Sequence, residues 1–133
     1  MKRVKTLLIA SLLTLFITSC EKEDNTADVT ETEPTQEGLV MLAHCLTEKG
    51  WLMYGSITCS ACRAQRKAFK DAFVHIREIE CNPNIPGNQA ELCLQQQIRK
   101  TPTWLQEREG QELGRLESYQ LLEDLASSSD CDL

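Results

Sequence analysis

Trp51-Leu52-Met53-Tyr54-Gly55-Ser56-Ile57-Thr58-Cys59-Ser60-Ala61-Cys62-Arg63-Ala64-Gln65-Arg66-Lys67-Ala68-Phe69 changes character once along its length. The first four residues are a short apolar run of large side chains, the pattern of a buried strand. Gly55–Thr58 turns the chain. From Cys59 to about Phe73 a helix fits, with Cys62, Gln65, Phe69, Ala72 and Phe73 on or near one face and Arg63, Arg66, Lys67 and Lys70 on the opposite stripe. A Cys-x-x-Cys pair therefore opens a helix directly after a strand. The first turn of a helix presents unpaired N–H groups and a partial positive charge, which favour a thiolate. Cys59 is placed to be that thiolate. Cys62, three residues on, shares its face within disulfide reach and sits deeper, as a resolving thiol would.

Working outward, Leu39, Val40, Leu42, Ala43 and Leu46 recur at helical spacing until Gly50 stops them. After the Cys59 helix, His75–Cys81 alternates and predicts a second strand, and Asn82–Asn88, with Pro83, Pro86 and Gly87, predicts a loop. Gln89–Gln97 fits a short helix. Thr103–Glu107 and Glu112–Leu116 fit a hairpin around Glu109-Gly110, and Ser118 fits the cap of a last helix through about Ala126 with Leu121, Leu122 and Leu125 facing inward. The order is α-β-α-β-α-β-β-α. The first β-α-β unit implies parallel strands with a right-handed crossover, and the closing hairpin adds an antiparallel edge. The expected class is α/β with a central mixed four-stranded sheet, the order of a compact thioredoxin fold.

The chain has 133 residues, enough for one domain, and 7 cysteines, too many for a typical cytosolic protein. With 14 Lys+Arg against 20 Asp+Glu, a net charge of −6, it is a poor candidate for binding nucleic acid through phosphate contacts. Residues 1–19 read as an export signal: Lys2, Arg3 and Lys5 precede an apolar stretch, Leu7–Ile17, that is too short to span a bilayer as a helix. The stretch ends in Ile17-Thr18-Ser19-Cys20, which resembles the bacterial lipobox. That resemblance implies lipidation of Cys20, an anchor in a bacterial membrane, and an extracytoplasmic place in the cell envelope where disulfides persist. Within residues 20–37, Glu21–Glu37 carries seven acids and one base and no aromatic residue, so it is expected to be a disordered, self-repelling tether. Residues 38–127 are expected to form the folded domain and 128–133 a terminal tail.

The Trp51–Phe69 stretch, with Glu80-Cys81-Asn82-Pro83-Asn84, Ala90-Glu91-Leu92-Cys93 and Thr101-Pro102-Thr103-Trp104, resembles the thioredoxin-like domain fused to bacterial and plant homologues of vitamin K epoxide reductase. The similarity runs from about Leu42 to Leu125. It implies that Cys59 and Cys62 are the redox pair, that Cys81 and Cys93 form a structural disulfide, and that Pro102 is a cis-proline beside the redox pair. Pro102 and the backbone of Thr101 would then shape a groove for an extended peptide. The activity implied is thiol–disulfide exchange with thiols or disulfides of exported proteins, without a small-molecule cofactor or a metal. The partner implied is a quinone-linked membrane thiol oxidase of the vitamin K epoxide reductase type. The sequence departs from that pattern in carrying Thr58 before the first cysteine and Ser60-Ala61 between the two. Met53, six residues before Cys59, stands where ordinary thioredoxins carry a buried acid.

Rival readings are a thiol reductase or isomerase fed by a membrane electron carrier, a metal module delivering copper through Cys59 and Cys62, and a structural lipoprotein with inert disulfides. A zinc site wants four ligands, usually in two tight pairs, and Cys45, Cys81, Cys93 and Cys131 are isolated in the sequence. His44 and His75 read as surface or half-buried side chains, and Tyr54 and Trp104 as packing. Cys45 and Cys131 fit equally a buried thiol with a terminal thiol, or a third disulfide.

Overall fold

Every residue of Trp51–Gly55 is buried, and a computed structural model, which describes residues 33–133, shows why. This strand, β1, lies inside a four-stranded sheet of order β2-β1-β3-β4, with β2 at Glu78–Glu80, β3 at Thr103–Arg108 and β4 at Gln111–Glu117. Helices α1 (Gln36–Glu48), α2 (Ser60–Phe69), α3 (Ala90–Gln95) and α4 (Leu122–Ser129) complete the order. β1 pairs with β2 in parallel, with Met53 opposite Glu78, and with β3 antiparallel, with Met53 opposite Trp104. β3 and β4 form the antiparallel hairpin. This is a thioredoxin-like fold.

Alternate side chains of β1 enter two separate cores. Trp51 and Met53 pack with Leu39, Leu42 and Leu46 of α1, Cys62 and Phe69 of α2, Trp104, and Leu122 and Leu125 of α4. Leu52 and Tyr54 face the other way, onto Ile79, Cys93 and Leu105. A strand covered on both faces has no solvent side, so its sequence is apolar without alternation. The parallel crossover from β1 to β2 sets the N-terminus of α2 beside the C-terminal end of β1. The turn at Ser56–Thr58 thereby places Cys59 past the C-terminal end of β1.

The structure departs from the sequence expectations at element ends. α1 starts two residues inside the expected tether: the Thr35 side chain caps it by accepting the Gly38 N–H at 3.1 Å, and Glu37 lies in the first turn, where a negative charge is favoured. α2 does not reach Phe73. It ends at Phe69 because Lys70 takes φ 51°, ψ −135°, and the chain continues as a 3-10 segment over Lys70–His75. Ala72 is nevertheless fully buried, which is why the helical spacing ran on past the break. The 3-10 segment uses up the start of the expected second strand, leaving β2 three residues long.

Ser118 does not cap α4. Its φ is 77° and its N–H bonds to the Pro102 carbonyl at 2.8 Å, so it closes the turn against β3. α4 begins at Leu122 after Leu121, which is 55% exposed and not in the core. The last residues are not a free tail: α4 runs to Ser129 and Cys131 is disulfide-bonded to Cys45 of α1. Residues 1–32, with the expected signal, the lipidation expected at Cys20 and most of the expected tether, lie outside the described residues.

Candidate redox site at the N-terminus of α2

Cys59 is the N-cap of α2, with φ −79° and ψ 126°, and its Sγ accepts the Cys62 N–H at 3.2 Å. A serine or threonine oxygen commonly fills this position; here sulfur satisfies one of the helix's unpaired donors and receives the field of the first turn. As a thiol, Cys59 donates to the Thr101 carbonyl at 3.3 Å. Cys62 is fully buried, and its Sγ accepts the Ser56 N–H at 3.4 Å. Both cysteines are reduced thiols.

The two thiols titrate apart. Burial opposes ionisation of Cys59, but hydrogen bonds from the Cys62 thiol, from Thr101 and from the backbone N–H groups of Cys62 and Ala61 outweigh it, so its pKa lies below the ordinary value. Deeper burial dominates at Cys62, and the hydrogen bond that stabilises the neighbouring Cys59 thiolate adds to it, pushing Cys62 up to about 11. The pair therefore joins an accessible thiol that ionises more readily than usual to a protected one that ionises less readily, the division of labour that disulfide exchange needs.

The Thr101–Pro102 peptide bond is cis. Pro102 is buried, Thr101 is half-buried, and the Thr101 carbonyl faces Cys59. Cys81 and Cys93 are joined by a disulfide with a Cα–Cα distance of 5.7 Å, which ties α3 to the segment after β2. His44 and His75 stack on each other with ring centroids 4.2 Å apart, bridging α1 and the end of the 3-10 segment. Trp104 and Tyr54 are fully buried: Trp104 packs on Phe69, and the Tyr54 hydroxyl donates to Glu107 at 2.9 Å. Arg66 leaves the solvated stripe to pair with Glu78 of β2, at side-chain exposures of 21% and 19%.

Glu80 has a part that the sequence reading did not give it. One carboxylate oxygen accepts the Ile57 N–H and the other the Asn82 N–H, each at 2.8 Å. Asn82 donates in turn to Thr58 Oγ1, which bonds Ser56 Oγ. The loop preceding Cys59 is thus tied to the end of β2. Burial of Glu80 is outweighed by these backbone hydrogen bonds, which hold its pKa below the usual carboxylate value. A polar residue in an alternating strand carries no local sign of such a role; only the register, with Gly55 opposite Glu80, delivers it.

No protein-family model matches the chain. Among solved structures it is similar to thioredoxin f2 of Chlamydomonas reinhardtii, at 15% sequence identity and a TM-score of 0.46, over 60% of this chain and 75% of that chain.

Proposed function

We propose that this protein is a thiol–disulfide oxidoreductase acting on exported proteins from a lipid anchor at Cys20. The observation that carries the reading is the asymmetric pair: Cys59 at the helix cap, accessible and lowered in pKa, beside Cys62, buried and raised. In the oxidising direction a substrate thiolate attacks Cys59 of the Cys59–Cys62 disulfide. The intramolecular S–S bond breaks, a mixed disulfide forms, and Cys62 leaves and takes up a proton. A second substrate thiolate then attacks its partner sulfur in the mixed disulfide and expels Cys59 as thiolate. A stabilised leaving thiolate favours this direction, because whatever stabilises the reduced form makes the disulfide a stronger oxidant. An extended substrate peptide would lie along Thr101–Pro102 by strand addition. The pair would be reoxidised by a quinone-linked membrane thiol oxidase of the vitamin K epoxide reductase type.

Trapping tests the reading. Cys62→Ser should accumulate mixed disulfides with envelope proteins, because Cys59 still attacks their disulfides while no Cys62 thiol remains to expel them, and Cys59→Ser should accumulate few. Equal trapping by both variants, or none by either, would reject it. The anchor has its own test: Cys20→Ala should release the protein from the membrane fraction or leave it unprocessed, and unchanged mass and fractionation would reject lipidation.

A further inference from the structure

Ser56, Ile57, Thr58 and Cys59 form a hydrogen-bonded turn, in which the Cys59 N–H donates to the Ser56 carbonyl at 3.1 Å. Such a turn leaves the N–H groups of its two central residues without a backbone partner. Thr58 finds an acceptor inside the turn, its N–H donating to Ser56 Oγ at 3.2 Å. Ile57 finds one on the neighbouring strand, Glu80 Oε2 at 2.8 Å. The other carboxylate oxygen of Glu80 accepts the Asn82 N–H at 2.8 Å, and the Asn82 side chain donates to Thr58 Oγ1 at 3.1 Å. Glu80 therefore grips both central residues of the turn, one directly and one through Asn82. Arg63 of α2 closes the opposite side, with Nη1 donating to the Thr58 carbonyl at 3.0 Å.

Both thiols hang on this turn. The Ser56 N–H at its start donates to Cys62 Sγ at 3.4 Å. Cys59 is its last residue, and the extended backbone there, φ −79° and ψ 126°, lets Sγ fold back onto the Cys62 N–H. The N–H groups that favour the Cys59 thiolate belong to α2, whereas the backbone that presents the sulfur to them belongs to the turn. Any slack between the two weakens the cap. We propose that Glu80 is a positioning residue of the redox site, holding the Ser56–Cys59 turn so that the Cys59 sulfur stays seated on the first turn of α2. This inference rests on the redox reading above. Glu80 touches neither sulfur and takes no proton in exchange: both of its oxygens are committed to backbone donors. Its effect is geometric, and that fixes a sign. A carboxylate acting on Cys59 through space would oppose the thiolate, so its removal would make Cys59 ionise more readily. A carboxylate acting by holding the turn does the reverse, and its removal makes Cys59 ionise less readily.

The test reads that sign. The full-length chain, with Cys59–Cys62 reduced and the other two disulfides intact, is alkylated with iodoacetamide across pH at a temperature where each variant is folded by circular dichroism. Labelling of Cys59 is followed by mass spectrometry. Glu80→Ala should move the Cys59 profile to higher pH and slow labelling about three- to tenfold below its midpoint, the worth of one hydrogen bond. At high pH, where Cys59 is fully ionised, the rates should converge on wild type. Glu80→Gln keeps one accepting oxygen and should fall between the two. Thr58→Val removes the Asn82 arm but keeps the side-chain shape; it should shift the profile the same way by less, and serves if the Glu80 variants do not fold. Loss of stability alone would leave the profile of the folded protein in place. A profile unchanged in every folded variant would show that water replaces the carboxylate at Ile57 and would overturn the proposal. A shift to lower pH, the mark of a charge acting through space, would also overturn it. Trapping by Cys62→Ser in the otherwise unaltered chain keeps the two readings apart: normal trapping with an unmoved profile rejects this inference alone, and no trapping rejects the redox reading and this inference with it.

Discussion

Cys59 and Cys62 have the same chemistry and differ only in surroundings, so their separation can be measured directly. Alkylation of the reduced protein near pH 7 should modify Cys59 much faster than Cys62, read at each site by mass spectrometry, because only Cys59 has both access and thiolate character. Faster labelling of Cys62 would overturn the assignment. The same shifts bear on stability. The folded-state pKa of Cys59 is lowered, so its contribution is present above the unfolded value, near 9, and is lost as pH falls through the folded value. That of Cys62 is raised, so its contribution is present below about 9 and is lost as pH climbs to about 11. Relative to the oxidised form, which lacks both titrations, the reduced form should gain stability on the approach to pH 9 and then lose about 2–3 kcal/mol by pH 11. Denaturant unfolding of the two forms across pH checks this. Tyr54 is also raised, first by burial and then by Glu107, but it titrates in both forms and cancels in the difference.

At the scale of elements, α2 is held midway along its length by Gln65, a fully buried amide. Its Nε2 donates to the Gln120 carbonyl at 3.0 Å, and its Oε1 accepts from the Gln120 N–H at 2.8 Å and the Trp104 indole at 3.5 Å. These bonds fix the helix that carries both cysteines to the turn before α4 and to β3. Gln65→Leu keeps the volume but strands three polar groups, and should cost about 2–4 kcal/mol in denaturant unfolding. A loss below about 1 kcal/mol would show that water replaces the amide. The C-terminal end of α2 stops at Lys70, whose φ of 51° with ψ of −135° suits glycine better than any L-residue. Lys70→Gly should raise stability by about 1 kcal/mol. The ion pair it gives up, Lys70 with Glu33, is well exposed at 49% and 88%, and such pairs contribute little. A destabilised glycine variant would mean that the kink is not strained.

Two disulfides brace the molecule on different scales. Cys81–Cys93 closes 12 residues, whereas Cys45–Cys131 closes 86 and binds the first helix to the C-terminus. Lys49 reinforces that closure by donating to the carbonyls of Ser129, at 2.9 Å, and Asp130. Loop-closure entropy assigns about 3 kcal/mol to the short loop and about 4–5 kcal/mol to the long one. Replacing Cys45 and Cys131 together by serine should therefore lower Tm more than replacing Cys81 and Cys93, with Cys59–Cys62 kept oxidised throughout. The reverse order would show that strain or residual structure in the unfolded chain outweighs loop length.

The strand at Trp51–Tyr54, the dithiol at the head of α2 and the hairpin from Thr103 were legible in the sequence because each is a local pattern. A continuous apolar run, a helix start after a turn, and two strands around Glu109-Gly110 depend on residues a few positions apart. What lay beyond local pattern was decided by packing across the chain. Helical spacing could not reveal that α2 breaks at Lys70, since the 3-10 segment still buries Ala72. Nor could Ser118 disclose that it turns against Pro102 and leaves Leu121 exposed. Cys45 and Cys131 fitted two readings equally until the fold set α1 beside the C-terminus. Glu78 and Glu80 were polar residues of an alternating strand, with no local sign of their partners. Pairing β2 with β1 in parallel brings Glu78 to Arg66 of α2 and Glu80 to the loop before Cys59, because strand register, a property of two distant segments at once, determines which side chains meet.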